Sequence, residues 1–463
     1  TLLAEYQKDR TAYVYGLPAQ GTVLPNINGD IPRDRFTGEP GLDEFKMERF
    51  SVGYLFEHAF SSQLKLRHNL RYVNAKSDYN STDIWQLMPD QRRTADRGFS
   101  PRQDKSSALS VDTSLQYQTR TGVVDHTLLA GLDYSMPRHE SRRYFQTLDN
   151  LDLFDPTYGS PLGPATPNYG SSTKGDNKRL GIYFQDQMKI VDKWVVLLGG
   201  RQDWVTGNEH NLFTQEQYAD NEKSQAFSGR AGLVYLADNG LAPFVSFSQS
   251  FEPTLGQDRQ GNRFEPTRGE QYEAGLRYQP AGSGMLLSAS VYQLIRKNVT
   301  VTDPLDTSYQ IQAGKARSRG LELEARTRIG RHANLIAAYA YTDARTLKAS
   351  PLQPGEEGKR LNSVPFNQFS LWGDYGFGDF GLPGLRVGAG VRYVGSTRGM
   401  AHGTAVEVPS FTLIDAMVSY TTGPWKFALN ATNLTDKTYI GSCTYGCFYG
   451  EPRRVIGTAT YRW

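Results

Sequence analysis

Between Leu321 and Ile329 the chain sets Leu321, Leu323, Ala325, Thr327 and Ile329 against Glu322, Glu324, Arg326 and Arg328, residue by residue. A second stretch does the same, with Leu385, Val387, Ala389, Val391 and Tyr393 alternating with Arg386, Gly388, Gly390 and Arg392. A period of two is that of a strand whose successive side chains point to opposite faces. A face so densely charged fits neither lipid nor the dry core of a sandwich. Both faces are satisfied when strands surround a water-filled or polar-plugged lumen and turn their apolar side to lipid. The expectation is an all-β chain forming a transmembrane antiparallel β-barrel.

The final stretch repeats the pattern. Val455, Gly457, Ala459, Tyr461 and Trp463 alternate with Arg454, Thr458, Thr460 and Arg462, Ile456 being the exception. An alternating strand that stops on an aromatic is how a bacterial outer-membrane barrel ends. Composition alone leaves a large soluble β-protein equally open, because hydrophobic residues make up only 38% of the 463. No run approaches the roughly 18 uninterrupted apolar residues of a membrane helix. The 12% of aromatics and 46 glycines nevertheless suit a barrel, in which only alternate residues meet lipid.

The pattern recurs as strand, short turn, strand, long polar loop, and gives about eighteen strands. Short turns fall at Ser61-Ser62-Gln63, Arg120-Thr121-Gly122, Val191-Asp192, Asp238-Asn239-Gly240, Ala281–Gly284, Gly330-Arg331-His332, Gly381–Gly384 and Thr422-Gly423-Pro424. Long connections are expected near 10–46, 78–106, 138–177, 207–223, 252–268, 298–314, 346–362 and 435–452. Short turns on one side and long loops on the other match a periplasmic and an extracellular end. One domain, 1–463, accounts for the whole. Because Thr1–Gln7 already reads as a strand and no signal peptide precedes it, the chain is expected to start inside a fold.

The net charge of +3, spread without a basic run, predicts no nucleic-acid partner. Cys443 and Cys447 are too few for a disulfide framework and lack neighbouring histidines for zinc. A local disulfide closing a loop tip fits them better and implies an oxidising compartment. The seven histidines, His402 among them, are isolated, so no metal site is expected. No nucleophile elbow, phosphate loop or zinc-protease helix is present, and the chain is not expected to be an enzyme.

Several motifs together resemble the TonB-dependent siderophore receptors. They are Phe247–Pro253 with Gly269–Gly275, Tyr183–Gln187, Gly199-Gly200-Arg201, Arg319–Glu324, and Asn433–Lys437 through to Trp463. Cys443–Gly450 is similar to the last extracellular loop of the hydroxamate branch, which takes ferrichrome or ferrioxamine. The resemblance implies a 22-stranded barrel in the outer membrane, crossed many times, with an N-terminal plug and a TonB box. This chain is expected to be the barrel portion, without the plug and the first strands. Implied partners are a ferric siderophore, the TonB-ExbB-ExbD complex acting through the missing N-terminal segment, and outer-membrane lipid and lipopolysaccharide. Exposed loops would also offer docking surfaces to phage or toxins. Ferric iron would arrive on the siderophore, with no resident cofactor. Alternatives are another TonB-dependent substrate, such as a different siderophore or cobalamin, or a passive porin.

Recognition of a compact ferric hydroxamate calls for aromatic faces and a few hydrogen-bond donors. By resemblance, Tyr15 in Tyr15–Pro18 keeps a pocket tyrosine while the neighbouring tryptophan of the family is replaced. In Asn80–Trp85 two pocket tyrosines become Asp83 and Trp85, with Gln86 following. Tyr144-Phe145 matches a Trp-Phe pair, and Tyr445, Phe448 and Tyr449 lie in the cysteine loop. These departures argue against ferrichrome itself and suit a ferrioxamine-type ligand. Among 27 Tyr, 22 Phe and 6 Trp most are expected to be membrane-interface girdle, including Trp194, Trp204, Trp372 and Trp425.

Overall fold

The computed structural model describes residues 1–12, 16–90, 92–303, 305 and 310–463. The wall opens with β1 (Leu2–Thr11), β2 (Glu44–Ala59), β3 (Leu64–Leu87), β4 (Thr94–Thr121) and β5 (Val124–Thr147). Two-residue β6 (Leu151–Asp152) and β7 (Thr166–Pro167) lie in the connection to β8 (Thr173–Ile190). It continues through β9 (Trp194–Asn211), β10 (Gln217–Tyr235), β11 (Leu241–Glu252), β12 (Thr267–Tyr278) and β13 (Leu286–Thr302). Next come β14 (Gln310–Ile329), β15 (Ala333–Lys348), β16 (Asn367–Gly376) and β17 (Leu385–Val394). A small hairpin, β18 (Thr397–Ala401) and β19 (Thr404–Val408), then leaves the wall. After it β20 (Phe411–Thr422) and β21 (Trp425–Thr432) rejoin, β22 (Ile440–Tyr449) leaves again, and β23 (Arg454–Tyr461) is the last wall strand.

Among the described residues the main sheet has twenty strands. Without the two-residue β6 and β7, eighteen long antiparallel strands make the wall, as the alternation predicts. Its outer strands β1 and β23 do not pair with each other among the described residues. The loops beside those two edges nevertheless meet. Leu17 and Cys447 exchange backbone hydrogen bonds of 2.8 and 2.7 Å, and both terminal guanidinium nitrogens of Arg33 reach Asp436 at 3.2 Å. Opposite ends of so wide a sheet come this close only when it curls round a lumen.

The two faces divide as the period requires. Leu180, Ile182 and Phe184 on β8 and Phe427 and Leu429 on β21 stand exposed on the outside. On the other face Arg201 pairs with Asp133 and Asp203, Arg392 with Asp415, and Tyr183 donates to Asp112 at 2.9 Å. Lipid demands that backbone groups be paired within the protein, which the ladders provide for the strands between the two edges, and the lumen keeps the charges wet. Trp372 departs from its expected place in the girdle. It shares the inner face with Asp374, which pairs with Arg386, and its ring lies over Gly388 and Gly390 of β17. Two glycines on the neighbouring strand leave the room a large inward ring needs.

Several of the expected long loops are shorter than the sequence suggests, because strands run on past the membrane. In place of a loop over 78–106, β3 and β4 continue to Leu87 and from Thr94, leaving residues 88–93 as the turn. Likewise β9 and β10 reduce 207–223 to residues 212–216. β4 is 28 residues long, whereas about 9–11 cross a bilayer. Above the membrane neither face meets lipid, so the apolar alternation that marks a strand fades while the ladder persists. The stretch 435–452 contains β22, which pairs in parallel with β18 in a three-stranded sheet with β19.

The buried apolar clusters lie at this end. One joins Ala19, Ala401, Val406, Val408, Ile440, Cys443 and Cys447, and the other Leu17, Ile31, Ile84, Ala95, Leu151 and Leu153. Tyr449 packs against both.

Candidate functional site

The mouth is held by buried charge as well as by apolar packing. Arg97 on β4 is wholly buried and pairs with the equally hidden Glu39 of the first long loop. Its remaining donors reach the carbonyls of Asp149 at 2.8 Å, Gly38 at 3.1 Å and Thr37 at 3.2 Å. The other Glu39 oxygen accepts the Gly159 N–H at 2.8 Å. Asp43 accepts from the backbone and hydroxyl of Thr82, and Tyr158 donates its hydroxyl to the Phe36 carbonyl at 2.9 Å. Burial pushes the Asp43 carboxyl up against these hydrogen bonds. One guanidinium thus ties three segments together with nearly every donor satisfied, the condition for a buried charge to be tolerated.

On the other face of the same hairpin tip the structure brings two expected ligand residues together. The rings of Trp85 and Phe145 lie 4.8 Å apart at 31°, although they come from β3 and β5. They meet over Gly98 of the intervening β4. The β3–β4 ladder is unbroken from Asp112 to Gly98, and β4 and β5 keep one register on either side of Ser100 and Pro101, so this face continues the one that lines the lumen lower down. Trp85 is the extra residue of a β-bulge between Ile84 and Gln86, and it remains 44% exposed, available to a ligand.

The other expected residues take different places. Tyr144 points to the opposite side from Phe145, where it meets Phe213 edge-on at 5.6 Å. Gln86 donates to Asp96 at 3.0 Å. It also lines a cavity of about 210 Å³ with Gln20, Arg92, His402 and Thr404. Tyr445 is exposed at a left-handed turn position, φ 63°. Phe448 lies against Gly16. The Tyr449 hydroxyl donates to the Ile31 carbonyl at 2.6 Å, and burial pushes it up, so this ring braces the loops. Tyr15 lies outside the described residues.

Cys443 and Cys447 form the expected disulfide, both fully buried. Cys447 carries the backbone bridge to Leu17, and Gly446 meets Gly16 so closely that a Cβ on either would strike the other backbone. Sequence reasoning passes over Arg97, Glu39 and Gly98, and sees His402 only as an isolated histidine. Burial pushes the His402 imidazole down, with the Ile84 carbonyl opposing. Nothing local in the sequence marks any of these, since each acts through a distant partner. Among the described residues no group of three or more His, Cys, Asp or Glu side chains could hold a metal ion. The assembly is an aromatic surface on a braced rim, suited to holding a compact, partly apolar molecule.

Residues 1–434 match the family described as TonB dependent receptor-like, beta-barrel. The chain is 36% identical over 458 residues to the ferrioxamine B receptor of Salmonella typhimurium, covering 96% of this chain and 63% of that protein. It is 34% identical over 498 residues to the ferrichrome outer membrane transporter/phage receptor of Escherichia coli, covering 100% of this chain and 65% of the relative. The chain thus spans slightly less than two thirds of these relatives. In fold it is similar to the siderophore receptor PiuA from Acinetobacter baumannii, with a TM-score of 0.87 at 20% identity, covering 99% of this chain and 71% of that one.

Proposed function

Since the chain belongs to the TonB-dependent receptor β-barrel family, we propose that it is the barrel of an outer-membrane receptor importing a ferric hydroxamate siderophore, of ferrioxamine or ferrichrome type. The carrying observation is the Trp85–Phe145 pair at the mouth, Trp85 exposed and Phe145 half-buried, on the face continuous with the lumen. The names of the two relatives above agree with this ligand class.

In this reading flat rings supply contact area at small entropic cost, and the braced loops present them without reorganisation. By the resemblance, Tyr15 and Tyr445 are the further residues assigned to ligand contact. Ferric iron is cargo, enclosed by its chelator, and the chain needs no resident cofactor and performs no catalysis. The apolar outer face meets outer-membrane lipid and lipopolysaccharide. Energy for passage comes from the TonB-ExbB-ExbD complex, through protein segments beyond this chain.

The test is intrinsic fluorescence quenching of the full receptor by ferrioxamine B and by ferrichrome. Saturable quenching by one of them, weakened in Trp85→Ala, supports the reading. No response to either complex sinks the hydroxamate assignment. A steady open conductance with no bound ligand would favour a passive porin instead.

A further inference from the structure

Gly98 is a glycine for a reason other than its backbone. Its φ lies outside the left-handed region, and it sits in regular register opposite Asp83 and Thr147. What the position cannot accept is a side chain. A Cβ there would lie 2.7 Å from the Phe145 ring and 2.8 Å from an edge atom of Trp85, with a second Trp85 atom closer still. Both rings converge on the space that glycine leaves empty.

The strand has little freedom to move aside. On its other face the neighbours Arg97 and Phe99 are 1% and 5% exposed, and Arg97 is held by Glu39 and three carbonyls. A methyl group added at 98 therefore displaces the rings and leaves the backbone where it is.

We propose that Gly98 is a positioning and specificity-determining residue of the ligand site, its missing side chain allowing Trp85 and Phe145 to stand as one aromatic wall against a compact ferric hydroxamate. The inference rests on the function proposed above. It makes residue 98 the control on ring spacing and hence on the ligand shape that fits. Parting the rings takes one aromatic face out of register with the ligand and should weaken binding by roughly threefold to tenfold.

The experiment compares Trp85→Ala, Phe145→Ala, Gly98→Ala and the double variant Gly98→Ala/Phe145→Ala in the full receptor. Affinities for ferrioxamine B and ferrichrome are read by fluorescence quenching, and circular dichroism verifies that each variant keeps its β-content. The expected result is weaker binding in all three single variants, with the double variant no weaker than Phe145→Ala alone, because the space that Phe145 vacates lets the Trp85 ring clear the methyl group. If Trp85→Ala and Phe145→Ala bind normally, the ring pair is not the ligand site and the inference falls with that reading. If those two bind weakly while Gly98→Ala binds normally, the reading stands and the role of Gly98 is overturned. A Gly98→Ala loss that simply adds to that of Phe145→Ala overturns it as well, since general damage to the hairpin would not depend on the ring.

Discussion

Arg97→Ala would remove a buried side chain that ties the first long loop, the β3–β4 hairpin and the loop after β5 to one another. The variant leaves Glu39, itself 3% exposed in its side chain, as a buried charge without its partner. It also strips a donor from each of the carbonyls of Thr37, Gly38 and Asp149. Removing one member of a buried pair costs about 3–5 kcal/mol. That cost falls on the mouth, since the wall strands are paired independently of it. A loss of about 3 kcal/mol multiplies the open population of these loops by roughly a hundred, each 1.4 kcal/mol being a factor of ten. Hydrogen exchange of the full receptor in detergent reads that population directly. Amides of residues 20–43 and 148–160 should exchange about a hundredfold faster, while β10 to β15 keep their protection. Replacing both partners by Arg97→Met and Glu39→Leu should restore much of the protection, because an apolar pair strands no charge. Unchanged exchange in Arg97→Ala, or a uniform acceleration over the whole wall, would refute the view that this pair organises the mouth alone.

Two further outcomes follow from the outer loops. Replacing Cys443 and Cys447 together by Ser should loosen the Leu17–Cys447 bridge at a cost of about 2 kcal/mol for so short a loop; ligand affinity should fall while the barrel's heat resistance on a gel stays the same, and an unaltered affinity would remove the disulfide from the site's support. Glu356 is held down to about 2 by Arg398 first and Lys359 next, in the loop between β15 and β16. A depressed carboxyl stabilises its contact fully above the ordinary carboxylate range and loses that stabilisation as pH falls towards about 2. Proteolysis of residues 349–366 by an acid-active protease should accordingly rise between about pH 4.5 and 2, and Glu356→Gln should be susceptible throughout; a pH-independent rate in the unaltered protein would contradict the pairing.

The wall was legible because two solvents read each strand at once. Lipid on one side and water on the other leave Leu321 to Ile329 or Leu385 to Tyr393 no other arrangement, and the register of β14 and β17 follows. Turn chemistry added the rest, as at Asp238-Asn239-Gly240, where Gly240 takes φ 86° and Asn239 caps the Leu241 N–H. The alternation falls silent above the membrane. There β3, β4 and β9 continue as polar strands that read as loops, and β18 finds β22 through a parallel pairing between remote stretches. Trp372 was misplaced for a related reason: its inward seat depends on Gly388 and Gly390, and no local pattern reports a neighbour strand. Within the candidate site, period two alone separates Tyr144 from Phe145, whereas the union of Phe145 with Trp85 needs the third strand and its glycine.

A barrel gives its apolar side chains to lipid, so the interior of its wall holds charges in place of a hydrophobic core. Both buried apolar clusters named above, and the buried Arg97–Glu39 pair, belong to the mouth. The region that a ligand would meet first is therefore the part packed like a globular domain. Such packing fixes ring positions in advance, which lowers the ordering cost of capture. It also separates two kinds of damage. Substitutions on the lipid face should act on insertion and pairing, while on the function proposed above those at Arg97, Gly98 or Cys447 should act on recognition and leave the wall standing. This division makes affinity and barrel integrity independent readouts.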